Sequence, residues 1–391
     1  MIPSHRQRFN REYSGAKYAR FLQLLEECCG GKPDFRHSET PCFFPRALID
    51  RMAGYGATMV RELLADPAYR QASREAVPAA YRAPNEDPAP LFVQADFGLD
   101  EALEPKLVEI QGFPSLYAYQ RVMSESYREA YGLPATLDAL PGGLRPDEYR
   151  ALLGRAIVGD RDPNEVVLME IDPAHQKRRH DFVVTEQLFG VRTVDILAVR
   201  KEGHRLFYER GGKRVPIRRI YNRVIVDELV RRGIVLQFDF RDELDIEWAG
   251  HPNWFFRLSK FSLPYLKHPA VPRTYFLADL ERIDHPERYV LKPLYSFAGA
   301  GVLVGPTADQ IAAIPSERRR EYILQERVHF RPVIDTPYGM TKVEVRVMYI
   351  WLEELRPVNI LIRMGRGAQM GVDHNKGLEW VGASAGFIDN T

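Results

Sequence analysis

Apolar residues recur three and four positions apart at Tyr18, Phe21, Leu22 and Leu25, which predicts a helix that Gly30-Gly31 ends. The same spacing returns after Pro45 at Leu48, Ile49, Met52, Met59, Val60, Leu63 and Leu64. Gly54 and Gly56 are placed to interrupt this second helix. Residues 74–90, rich in Pro and Ala, read as a connection. Leu91–Phe97 and Lys106–Gln111 read as short strands, followed by a helix after Pro114 and a loop at Pro141-Gly142-Gly143. The pattern changes near residue 148. β-rich runs at Glu165–Ile171 and Val194–Val199 flank a helix-like stretch, and more strand-like runs follow at Leu206–Tyr208 and Val215–Val226. This alternation predicts βαβ units. In the last third, Tyr289–Pro293, Gly301–Val304, Tyr322–Val328, Lys342–Trp351 and Pro357–Met364 look extended, separated by turns. The expected fold class is α/β (α+β).

With 45% apolar and 27% charged residues the chain has the composition of a globular protein, and its 391 residues suggest two or three domains or one large composite fold. Its 54 basic and 53 acidic residues leave a formal charge of +1, so no global field attracts nucleic acid or an anionic membrane. Cys28, Cys29 and Cys42 are odd in number and confined to one end. A disulfide framework is not expected, and a reducing cytoplasm is. The basic N-terminus has no apolar run after it, and no stretch approaches the ~18 apolar residues of a membrane span.

Three local patterns carry candidate chemistry. In YVLKPLYSFAGAGVLV a strand delivers Lys292, Pro293 ends it, and Ser296, Gly299 and Gly301 lie in the loop that follows. Small residues let backbone N–H groups approach a polyphosphate, and lysine supplies a compact charge. A plain hairpin with a glycine turn accounts for the pattern equally well. In YILQERV an apolar strand turns polar at Gln325, Glu326 and Arg327, before Val328, a place where backbone groups can meet a planar base; a strand end with charged residues is the commoner account. Asp96 follows an apolar strand, and Glu109 and Gln111, two apart on the next, share one face. Three such oxygen donors suit a magnesium ion bridging phosphates; paired acids are also common on the solvent face of a hairpin, but apolar Leu107, Val108 and Ile110 around Glu109 favour a partly buried acid.

Taken in order, these pieces resemble the ATP-grasp ligases, in the circularly permuted form similar to the synthetase domain of glutathionylspermidine synthase. There too the acidic hairpin precedes the lysine loop. LSKFSLPYL resembles the family's first nucleotide-lysine element, at Lys260, and Ile362-Arg363 and Asn375 resemble its late strand end and asparagine. The resemblance implies residues 1–147 as a helical cap plus the metal hairpin, 148–255 as a βαβ-type substrate domain, and 256–391 as the nucleotide-binding region. It implies an ADP-forming carboxylate–amine or carboxylate–thiol ligase acting through an acyl phosphate on small-molecule acid and amine substrates. Lys260, Lys292, Ser296, Gly299, Gly301, Gln325, Glu326, Val328 and Asn375 would bind ATP, and Asp96, Glu109 and Gln111 would hold Mg2+. Arg346 or Arg363 would stabilise the oxyanion. For both arginines a structural ion pair, with Glu344 or Asp373, is the plainer account.

Two positions depart from the family. Gln111 replaces its metal asparagine, and Gln94 replaces an arginine two before Asp96. They motivate a non-catalytic nucleotide-binding alternative; a small-molecule kinase is another. Residues 200–223 carry nine Lys or Arg against Glu202 and Glu209. A solvated face explains this, or a rim that attracts an anionic acid, with Asn222 and Arg223 positioning it. Asp373, His374 and Asn375 form a polar turn or a metal or base cluster. A homo-oligomer is left open.

Overall fold

The computed structural model describes residues 1–296, 299–375 and 377–390. The protein is a mixed α/β chain of the α+β kind, with four sheets among the described residues. The central six-stranded sheet runs in the order 42–45, 382–389, 355–365, 342–351, 92–99, 105–111. Its first pair is parallel and the others antiparallel. The early hairpin 92–111 is thus built into the sheet of the last fifty residues.

Strand alternation decides what each face of this sheet carries. Val93, Ala95, Phe97 and Leu99 join a core with Ile49, Met52, Met59 and Val60 of helix 46–65. Gln94 and Asp96 point to the opposite face. Between Asp96 and Phe97 the register with strand 105–111 shifts, so Val108 has no cross-strand partner. Such bulges re-aim backbone and side chains.

Helix 46–65 is continuous through Gly54 and Gly56, contrary to the expected interruption. At Gly56 the reason is packing. A Cβ there would collide with the Tyr349 hydroxyl, which donates to the Ala53 carbonyl at 2.9 Å. The glycine serves close approach of the sheet, not a break. Helix 15–29 ends as expected, at Gly30 in the left-handed conformation.

A parallel sheet of 247–249, 219–222, 166–170 and 192–195 forms the middle of the chain, with helices 146–158, 179–189 and 226–231. The expected run Val215–Val226 is broken: one strand ends at Ile217, the next at Asn222, and Val226 begins a helix. Strands 200–202, 205–210 and 213–217 make a separate antiparallel meander. The fourth sheet, antiparallel, has the order 274–276, 322–326, 289–293, 303–304 around Leu277, Leu291, Ile311 and Leu324. No described helix is long and apolar enough to cross a membrane.

Candidate functional site

A cleft of about 430 Å³ lies between the central sheet and the fourth sheet. Its wall includes Asp96, Glu109, Gln111, Lys260, Lys292, Ser296, Gly299, Gln325, Glu326, Val328, Arg346 and Arg363. Residues from three separate stretches of sequence therefore meet in one place.

The lysines are anchored by backbone geometry. Lys292 donates from Nζ to the carbonyl of Val108 at 2.8 Å and to Gln325 Oε1 at 2.6 Å. The bulge places that Val108 carbonyl toward the cleft, tying the fourth sheet to the hairpin. Lys260, at the start of a short helix that Ser259 caps, donates to the Ser296 carbonyl at 2.7 Å. Burial lowers the pKa of Lys292 to about 8, although Glu109 works against it, and burial lowers that of Lys260 too. Two cations held in a poorly solvated site are an electrostatic invitation to an anion. Gln325 Oε1 accepts from Lys292, while its Nε2 is buried without a partner in the described structure. An unpaired buried donor costs roughly 1–3 kcal/mol, which a ligand acceptor would recover.

The opposite wall is an ion-pair network. Arg346 grips both oxygens of Asp96, at 2.6 and 2.7 Å, and donates to Gln94 Oε1 at 2.9 Å. Arg363 pairs with Asp96 and with Glu344. Burial alone would raise the Asp96 carboxyl; Arg346 and Arg363 outweigh it and hold the pKa at about 2. Burial raises the pKa of Glu344. Arg363 is thus in the expected ion pair with Glu344, whereas Arg346 pairs with Asp96 and, at 3.5 Å, with Glu109; both arginines face the cleft. Gln94 Nε2 donates to the Ser115 carbonyl at 2.8 Å, and Gln111 Nε2 donates to Gln94 Oε1 at 2.5 Å. This bond ties the two glutamines together, and Gln111 lines the cleft.

Among the described residues no three His, Cys, Asp or Glu side chains are grouped as a metal site. With Asp96 held by both arginines, Glu109, whose Oε1 lies 3.5 Å from Arg346 Nη2, and Gln111 are the less committed oxygen-bearing side chains of the expected set. Magnesium commonly takes one or two carboxylates and completes its shell with phosphates and water, so these residues fit it only together with a nucleotide.

Four expected residues stand elsewhere. Asn375 uses its whole amide on a neighbouring loop: Oδ1 accepts from Arg366 and Gly367 N–H, and Nδ2 donates to the Gln369 and Gly371 carbonyls. It shapes residues 368–372, which line the cleft, without lining it itself. Gly301 turns the loop beside Pro293 at φ +72°, a conformation that suits glycine. Asn222 and Arg223 are buried and do not reach the cleft wall. Arg223 Nη1 donates to Asp181 at 2.6 Å, and Asn222 accepts from the Val224 N–H. The basic excess of 200–223 belongs mainly to the meander, away from the cleft. Phe297 and Ala298 of the glycine loop, and the side chains of Asp373 and His374, lie outside the described residues.

Sequence reasoning missed Tyr119, Met123, Lys177 and Arg178 as cleft residues, and treated Glu344 only as an ion-pair partner. Glu344 had a signal: it alternates with Arg346 on one face of strand 342–351. Tyr119 and Arg178 had none, since helix 117–131 and the turn before helix 179–189 reach the cleft only through packing. No protein-family model matches this chain, and no curated protein matches it by sequence.

Proposed function

We propose that the cleft binds ATP with magnesium and that the protein is an ATP-dependent carboxylate–amine or carboxylate–thiol ligase of the circularly permuted ATP-grasp type. The observation that supports this most is the convergence of Lys260 and Lys292 with Glu109, Gln111, Arg346 and Arg363 between two antiparallel sheets. The lysines would hold phosphates, and the buried Gln325 amide would donate to the base. Glu326 and Val328 would flank the base at the end of strand 322–326. Bound magnesium would neutralise the transferring phosphoryl group. Arg346 and Arg363, fixed by Asp96, would orient the carboxylate and then stabilise developing charge. The free thiols Cys28, Cys29 and Cys42 suit the cytoplasm.

Lys292→Ala is expected to weaken ATP binding at least tenfold while the fold survives; titration calorimetry with Mg-ATP checks it. Unchanged affinity in a folded variant would remove the nucleotide assignment. Gln111→Asn is expected to keep turnover, because it preserves the side-chain oxygen type. Turnover is read by incubating the protein with Mg-ATP, an acid pool and hydroxylamine: hydroxamate with ADP marks a ligase, and a stable phosphate ester a kinase. The saturation of both Asp96 oxygens favours a second reading, nucleotide binding without turnover. ATP binding with no ADP from any pool would select it.

A further inference from the structure

A run of hydrogen bonds with fixed polarity ends at the cleft wall. It starts at the peptide unit between Ser115 and Leu116, which is gripped at both ends. Its carbonyl accepts from Gln94 Nε2 at 2.8 Å. Its N–H donates to Asp181 at 3.1 Å, as do the N–H groups of Ala118 and Tyr119. A carbonyl only accepts, so the nitrogen end of the Gln94 amide is committed to it. On the other side Arg346 Nη1, which only donates, lies 2.9 Å from Gln94 Oε1. Both neighbours therefore demand the same orientation of this amide. Gln94 is fully buried, and the sheet holds it in register opposite Gln111 of strand 105–111.

That orientation dictates the next one. Gln94 Oε1 can only accept, so Gln111 must turn its Nε2 toward it, and does so at 2.5 Å. Gln94 Oε1 then has a donor for each of its two lone pairs. Gln111 Oε1 accepts no hydrogen bond from the described residues, which makes it the unused acceptor of that amide. Glu109, two positions earlier on the same strand, lines the cleft with Gln111. Arg346 does not hang on Gln94 alone: Asp96 grips it at 2.6 and 2.7 Å, so the arginine keeps an anchor when Gln94 is replaced.

We propose that Gln94 is a positioning residue: by fixing the Gln111 amide it keeps an oxygen free beside Glu109, and so makes the cleft prefer a magnesium-bound nucleotide to the free one. This rests on the nucleotide reading of the cleft. Magnesium takes oxygen ligands, and an amide nitrogen has no lone pair to offer it. An untethered amide could turn either end to the ion; this one has its nitrogen end tied back. Groups that orient a metal ligand without touching the metal are typically worth roughly 10–100-fold in metal affinity.

Titration calorimetry with ATP in excess Mg2+ and with ATP in EDTA tests it, on wild type, Gln94→Leu, Gln111→Leu and the double variant, with melting curves to confirm folding. The readout is the ratio of the two affinities. Gln94→Leu is expected to reduce the preference for Mg-ATP about tenfold, and Gln111→Leu at least as much. The double variant should lose no more than Gln111→Leu, because Gln94 acts through Gln111. Gln94→Glu keeps an acceptor for both Gln111 and Arg346 and is expected to retain the preference; it carries the test should Gln94→Leu fail to fold. Equal loss of both affinities in Gln94→Leu, losses that add in the double variant, a Gln94→Glu protein without the preference, or a wild type without it would each overturn this assignment alone. A wild type that binds neither form of ATP would overturn the nucleotide reading, and this assignment with it.

Discussion

Replacing Arg223 with alanine is expected to lower folding stability by about 3–5 kcal/mol, the typical result of breaking a buried ion pair from one side. Arg223 is 2% exposed, and its partner Asp181 has no exposed side-chain surface. The guanidinium also lies 5.2 Å from the Phe182 ring centre. Alanine would leave the Asp181 carboxylate with its three backbone N–H partners and no counter-charge. Because those N–H groups start helix 117–131, the loss would spread to the wall carrying Tyr119 and Met123. Thermal and denaturant unfolding of the variant check this. A loss below ~1 kcal/mol would show that the pair is not what holds the helix start. Arg223→Lys should recover only part of the stability, since one ammonium replaces a planar fork.

Glu170→Gln is expected to stabilise the protein increasingly as pH rises. Glu170 is 5% exposed, and burial raises its pKa to about 8, with Arg223 pulling the other way and Glu228 adding to the rise. Its carboxylate accepts only from the Ile171 N–H among the bonds described. Arg223, already paired with Asp181, and Arg178 both favour the ionised carboxyl, and burial outweighs them. An unfolded glutamate ionises near pH 4.3. Between there and about pH 8 the folded chain holds one more proton than the unfolded chain, so stability falls as pH rises. The whole window amounts to on the order of 5 kcal/mol for this group. The variant cannot ionise there and escapes the loss. Melting wild type and variant in parallel at pH 4.5, 6.5 and 8.5 should show a gap that widens with pH. A constant gap would mean that Glu170 ionises normally.

Much of the local structure was legible in the sequence because it depends on periodicities set within a few residues. Strand 342–351 has the bounds its pattern predicts, whereas Asp96, read as following an apolar strand, lies within strand 92–99. The mixed α/β class follows from the same alternation, and Lys292, Glu109, Gln111 and Arg346 stood out by residue type on strands. What the tertiary structure decided is which of these groups meet. Asp96 and Arg346 are 250 positions apart, and nothing near either one announces the other. Arg223 read as a strand-end cation open to a substrate. Its partner sits on helix 179–189, and only the parallel sheet's packing brings the two together. Asn375 carried a plausible binding amide until the loop folded around it. Strand 42–45 was invisible because four residues show no period, and its parallel pairing with 382–389 spans nearly the whole chain. Short-range sterics and hydrophobic alternation write elements into the sequence. Long-range charge pairing and burial, which assign each polar group a partner, exist only once those elements are packed.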